Sequence, residues 1–209
     1  GEGDYPYTHL AGSDLLGDAF IGRISVQDLT QLITILNKVY TYEKNINNAP
    51  DAAAWLNRML LIGDRSYSGI STVYNSQYIH EMSHEVNPDY TYIENYTGGF
   101  PSTINNGINQ GVSFFNYRGY INMSGWSPSN SLNNGPRLPH AVMLTCGTGS
   151  YASQETTSEA FIRLGTEAVP RGALTAIGMA TIATKTMLNN ALATGIFDGI
   201  FLYGMRSMG

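Results

Sequence analysis

Two groups of residues in this chain have types and spacings that can do chemistry. The first is Leu144-Thr145-Cys146-Gly147-Thr148-Gly149, which holds the chain's single cysteine. A thiolate is a strong nucleophile, but a thiol titrating near about 8.5 needs a neighbouring base or cation to ionise at neutral pH. Backbone N–H groups in a glycine-rich turn beside it can hold a developing oxyanion. The alternative for a lone thiol is a small buried hydrophobe. The second group is His80-Glu81-Met82-Ser83-His84, which fits the His-Glu-x-x-His pattern. On a helix it puts two imidazoles on one face for zinc, with Glu81 as general base of a hydrolase and Glu85 or Glu94 as a third ligand. The competing reading is a solvated helix face carrying two histidines. Pro88 stops such a helix almost at once, and the flanking positions lack apolar packing.

Bulk properties narrow the classes. The formal charge of −5 comes from acids and bases mixed along the chain, with no basic stripe, which argues against nucleic acid as a partner. No apolar run approaches the roughly 20 residues of a membrane helix. Gly1-Glu2-Gly3-Asp4 is neither basic nor apolar, so no signal peptide is expected there. One cysteine excludes an internal disulfide, and few lysines beside many Asn, Gly, Ser and Tyr lean towards an extracellular or cell-surface protein.

The elements that must position these groups alternate. Phe20-Ile21-Gly22-Arg23 reads as a strand end leading to Ser25, an N-cap for a helix built on Leu29, Leu32, Ile33, Leu36, Val39 and Tyr40, with Asp28 in its first turn. Arg58 to Ile62 reads as a buried strand ending at Gly63-Asp64, and Ser71 to about His84 as a helix. Gly111 to Asn116, His140 to Thr145 and Gly172 to Gly178 read as further strands. Thr156 and Glu159 form a capping box, Ser127 to Pro136 a surface loop, and a long apolar helix starts near Thr184. Strands alternating with helices predict an α/β fold with a mostly parallel sheet and helices on both faces. In such sheets ligands gather beyond the carboxyl ends of the strands, where Asp64, Gly119-Tyr120, Cys146 and Met179 all fall. His9 lies in a loop free to approach that cleft, whereas His140 starts a strand whose length of roughly 20 Å keeps it from the thiol. Met179, Thr181 and Trp126 are weighed between cleft wall and core.

Several segments resemble the gingipain-like cysteine peptidase family, in the same order over nearly the whole chain. Val112 to Tyr120, followed by Ser124-Gly125-Trp126, is similar to the stretch carrying the family's catalytic histidine, Asn-Tyr-x-Gly-His-Gly and then Trp. Ala141 to Tyr151 resembles its nucleophile strand and loop, and Thr157-Ser158-Glu159-Ala160-Phe161 the helix after it. Asp14, Phe20-Ile21-Gly22-Arg23 and Tyr42-Glu43-Lys44-Asn45 match its Phe-Ile-Gly-Arg and Tyr-Glu-Arg-Asn elements.

The resemblance implies a caspase-like fold and a cysteine–histidine dyad that cuts peptide bonds, with Cys146 as nucleophile and Gly119 and Gly147 allowing close backbone approach. It departs from the family at Tyr120, which replaces the histidine, and at Ile121, which replaces the following glycine. Asp64 falls near the carboxylate that supports the histidine, and Gln77 near the aspartate that selects arginine. Gln77, Met179 and Trp126 are the pocket candidates. The chain is expected to be a single α/β domain over residues 1–209, the central or second subdomain of a larger peptidase domain. The partners expected are a peptide or protein substrate and flanking parts of its own precursor. No cofactor is expected, zinc entering only through His80 and His84, with room for a structural calcium. Three functions follow: an impaired or inactive cysteine peptidase, a non-catalytic binding or structural module, and a zinc hydrolase.

Overall fold

A computed structural model describes residues 4–46, 51–152 and 155–208. Five strands form one parallel sheet: β1 (Arg58–Gly63), β2 (Thr91–Asn95), β3 (Phe114–Arg118), β4 (His140–Met143) and β5 (Thr175–Gly178), in the order β2-β1-β3-β4-β5. The helices are α1 (Leu29–Asn45), α2 (Ala52–Leu56), α3 (Ser71–Val86), α4 (Phe100–Gln110), α5 (Thr157–Arg163) and α6 (Thr186–Phe201).

The uninterrupted apolar run of β1 follows from its place in the middle of the sheet. Successive side chains point to opposite faces, and both faces are covered. Met59 and Leu61 pack with Ile79 and Met82 of α3 and Ala193 and Phe197 of α6. Leu60 and Ile62 pack on the other face with Phe100, Ile104 and Ile108 of α4 and Phe161 of α5. All four β1 side chains are fully buried, each worth about 1.5–3 kcal/mol relative to exposure. The edge strand β2 carries exposed Thr91 and Glu94 instead, and this short, half-exposed segment gives a weak strand signal in the sequence.

The expected strands in the central sheet are present with shifted bounds. β4 stops at Met143 because the buried Thr148 hydroxyl donates to the Met143 and Thr145 carbonyls, which turns the chain before Cys146. β3 begins three residues late, after Gly111 at φ 86°, and runs on to Arg118. The expected strand at Phe20–Arg23 does not form, and Ser25 is not a cap. Asp28 caps α1 by accepting from the Gln31 N–H at 2.8 Å, and Phe20 stays exposed. Ser25 is held instead by α5, whose Arg163 donates to its carbonyl at 2.9 Å and its hydroxyl at 2.8 Å, while that hydroxyl donates to Glu159. The capping box of Thr156 and Glu159 forms as read.

Candidate active site

The carboxyl ends of β1, β3, β4 and β5 bring together the loops of Asp64, Tyr120, Cys146 and Met179. Cys146 N–H donates to the Tyr120 carbonyl at 3.4 Å, Asn122 N–H to the Cys146 carbonyl at 3.0 Å, and the Thr145 hydroxyl to the Asn122 carbonyl at 2.7 Å. The loop after β3 is thereby fastened along the nucleophile turn. Thr148 fastens the other side: its Oγ1 accepts from Met179 N–H at 3.1 Å, and its carbonyl accepts from Ser158 N–H at 3.0 Å and Ser158 Oγ at 2.6 Å. Gly149 N–H donates to the Met179 carbonyl at 2.9 Å, and a Cβ on Gly149 would lie 2.8 Å from the Gly178 backbone. Only glycine permits that contact. Gly147 takes φ +82°, a left-handed turn that an L side chain strains to adopt.

Cys146 is 6% exposed, and among the described residues the hydrogen-bond partner of its sulfur is Thr184, with Oγ1 at 3.1 Å and the carbonyl at 3.8 Å. Thr184 Oγ1 in turn accepts from Asn189 Nδ2 at 2.8 Å. The N–H groups that would face an oxyanion are engaged, Cys146 N–H with Tyr120 and Gly147 N–H with the Thr181 carbonyl at 3.2 Å. Binding a tetrahedral intermediate there requires one of these bonds to open.

Asp64 is buried. It accepts from Ser66 N–H at 2.9 Å, from the Tyr117 hydroxyl at 3.3 Å and from the Ser124 hydroxyl. Burial and this carboxylate push the Tyr117 hydroxyl well above the usual phenol range, so it stays a donor. The Tyr120 side chain is half exposed, its ring 5.7 Å from that of Tyr67, and Ile121 is exposed beside it. The Gly119 carbonyl accepts from Ser68 Oγ at 2.9 Å, and a Cβ there would strike the Tyr117 ring.

Other candidates fall away from the thiol. Gln77 is exposed in the second turn of α3, past the end that faces the cleft. Trp126 is buried in the core against Phe115 and Phe161, with Nε1 donating to Asn105, so it packs beneath the Tyr120 loop rather than lining a pocket. Met179 is half-buried and joins the core on the α3–α6 face while its backbone holds the nucleophile turn. His80 stacks on Tyr92 at 3.8 Å and pairs through Nδ1 with Glu94 at 3.0 Å; His84 and Glu81 are exposed. Among the described residues no three His, Cys, Asp or Glu side chains converge as a metal site. His140, at the amino end of β4, bonds Thr175, and burial lowers it to about 4. His9 packs edge-on against Tyr5.

Three residues at or next to this site were not singled out from the sequence: Thr148, Thr184 and the buried Arg118, whose Nη2 donates to the Thr186 carbonyl at 3.3 Å. Thr148 and Thr184 carry no signal of their own, because a threonine in a loop has many uses. Arg118 does: it is a charged residue closing an apolar strand, which calls for a reason.

The sequence pattern of peptidase family C25 matches residues 2–209. Gingipain R2 of Porphyromonas gingivalis is 27% identical over 83% of this chain and 25% of its own length. Gingipain R1 of the same organism is also 27% identical, with 19% of its length covered. The chain therefore spans a quarter or less of these curated relatives. Its fold superposes with a TM-score of 0.83 on the Arg-specific cysteine proteinase gingipain R, at 23% identity, over 96% of this chain and 48% of that one. A complex of Porphyromonas gingivalis RgpB pro- and mature domains gives 0.75 at 24% identity, over 91% of this chain and 49% of that one. These likenesses establish a caspase-like α/β fold.

Proposed function

The chain belongs to peptidase family C25, and from that premise we propose that it is a gingipain-type cysteine peptidase domain with Cys146 as nucleophile and weak peptide-bond turnover. The observation that carries this reading is the pairing of the Cys146 turn with the Tyr120 loop through both backbone groups of the cysteine. The pairing supports position 120 as the one from which a dyad base would serve the thiol. A histidine there would take the thiol proton and return it to the leaving amine. A tyrosine hydroxyl does neither. Asp64 is satisfied by Tyr117, Ser124 and Ser66 and has no imidazole to orient. The zinc reading is not favoured, since His80 is already paired with Glu94 and Tyr92.

The domain acts on peptide or protein substrates and meets flanking parts of its own precursor, as a subdomain of a longer extracellular or surface peptidase. Arginine selectivity is not carried over, because Gln77 occupies the exposed side of α3. The test is restoration of the dyad. Tyr120→His combined with Ile121→Gly should raise hydrolysis of a panel of peptidyl amides by about 10²-fold or more over the parent, and Cys146→Ala in that background should abolish the gain. A folded double variant with no gain would overturn the assignment of position 120.

A further inference from the structure

The loops around the nucleophile turn present large apolar side chains to solvent. Tyr67 follows β1 in a tight turn, closed by Gly69 N–H donating to the Arg65 carbonyl at 2.9 Å, and takes φ +58°. That left-handed conformation suits glycine or asparagine and strains a bulky side chain. The ring recovers almost nothing by burial, because Tyr67 is 93% exposed. A residue that strains its backbone and adds nothing to the core is explained by what it meets outside the fold.

The Tyr67 turn is fastened beside the site. Ser68 Oγ donates to the Gly119 carbonyl at 2.9 Å and lies 3.3 Å from Thr186 Oγ1, which fixes the turn between the loop after β3 and the start of α6. The Tyr67 ring stands 5.7 Å from the half-exposed ring of Tyr120, tilted by 42°. Tyr120 and Ile121 border the nucleophile directly: the Tyr120 carbonyl accepts from Cys146 N–H, and Ile121 pairs with Cys146 in a parallel bridge. Across the turn Ile182 is 69% exposed, and its Cγ2 lies 3.4 Å from where a Cβ on Gly147 would stand. Two aromatic rings and two isoleucines thus flank the thiol's turn, on loops that follow three different strands.

Charge points the same way. The loops at 64–69, 119–126, 145–149 and 179–185 hold one carboxylate, Asp64, which is buried and already taken by Ser66, Tyr117 and Ser124. Besides tyrosine, their exposed ionisable side chains are Arg65 and Lys185, both basic. Nothing there compensates a cationic substrate side chain, and two cations oppose it. An acidic one would find cations only on exposed stems, where an ion pair adds little. We propose that Tyr67, Tyr120, Ile121 and Ile182 form a rim that selects the substrate, seating an aromatic or large aliphatic side chain beside the scissile bond in place of a basic one. This deepens the peptidase reading and rests on Cys146 being the nucleophile. A ring laid against Tyr67 and Tyr120 covers apolar surface on both partners and meets exposed aromatic faces, which holds the peptide across the Cys146 turn.

The experiment measures equilibrium binding of N-acetyl-Ala-Ala-X-Ala-amide peptides, with Phe, Leu, Arg or Glu at X, to the full chain by NMR titration. The parent should bind the Phe and Leu peptides at least about 5-fold more tightly than the Arg and Glu peptides. Tyr67→Asn removes the ring and keeps the turn, because asparagine tolerates the left-handed region. It should weaken the Phe peptide by about 3-fold or more, leave the Arg peptide unchanged, and leave the urea midpoint unchanged or higher. Ile182→Ser tests the other side of the turn and should weaken the Leu peptide by a similar factor, about 3-fold. Equal affinities for the four peptides, or folded variants that keep the parent's preference, would overturn the rim. So would a Tyr67→Asn midpoint below the parent's, which would make the ring part of the structure. Binding needs no thiol chemistry. Absent preference beside peptide cleavage by the Tyr120→His, Ile121→Gly chain therefore removes only the rim, whereas preference without that cleavage removes only the peptidase reading.

Discussion

Replacing Thr148 with valine should loosen the nucleophile turn without opening a cavity, since the two side chains have nearly the same volume. The hydroxyl makes three bonds: it donates to the carbonyls of Met143 and Thr145 and accepts from Met179 N–H. Valine leaves the Met179 N–H without its acceptor, at about 1–3 kcal/mol, and forfeits a shared donated bond worth about 1 kcal/mol. The Thr148 N–H and carbonyl are untouched, so the bonds to Thr145 and Ser158 remain and limit the damage. The net expectation is a loss of about 2–4 kcal/mol. Urea unfolding at pH 7 should show it as a lower midpoint at unchanged slope. Alkylation of Cys146 at pH 9.5 should also accelerate, because the turn opens more often. A valine variant within about 0.5 kcal/mol of the parent would refute the claim that this hydroxyl ties the ends of β4 and β5 together.

Lys38 of α1 is 2% exposed, donates to the Ile162 carbonyl at 2.8 Å, and is lowered by burial to about 7. With an unfolded value near 10.5, its penalty is full below pH 7 and relieved as pH rises between the two, so Lys38→Met should stabilise by a few kcal/mol (~2–4) near pH 6 and by much less at pH 10.5, read by urea titration at each pH. His140, lowered by burial from 6.5 to about 4, contributes stability that is complete above pH 6.5 and lost as pH falls through 4; on the order of 3 kcal/mol should disappear across that window, and His140→Phe should flatten the slope. Arg163→Met removes the cation that holds Ser25, Glu155 and the buried Glu159; a cost of about 3–5 kcal/mol is expected, with earlier proteolytic cleavage around Arg23–Gln27. Gly149→Ala forces the turn off β5 and should lower the urea midpoint, because the contact with Gly178 is backbone on backbone.

Much of the architecture was legible because the central strands are buried on both faces and are largely apolar, as Met59–Ile62 and Ala141–Met143 show. Cys146 was legible for a related reason: a strand end followed by a glycine turn is where a parallel sheet presents reactive groups. β2 and α4 were missed. β2 is a half-exposed edge with polar residues, and α4 carries Pro101, Gly107 and several asparagines around its Phe100–Ile104–Ile108 stripe, which mask the helical period. Ser25 was misassigned because a serine before an apolar run looks like a cap. Its true partners, Glu159 and Arg163, are more than 130 positions away.

The sequence by itself therefore determined the layered fold, the buried central strands and the position of the thiol, since these depend on local period and on what a buried strand tolerates. Only the tertiary structure decided the thiol's company. Thr184 reaches the Cys146 sulfur from a segment 38 positions away through a single polar contact, and Asn189 holds Thr184 in turn. Such contacts leave no period in a sequence, because one hydrogen bond constrains one side chain and nothing on either side of it.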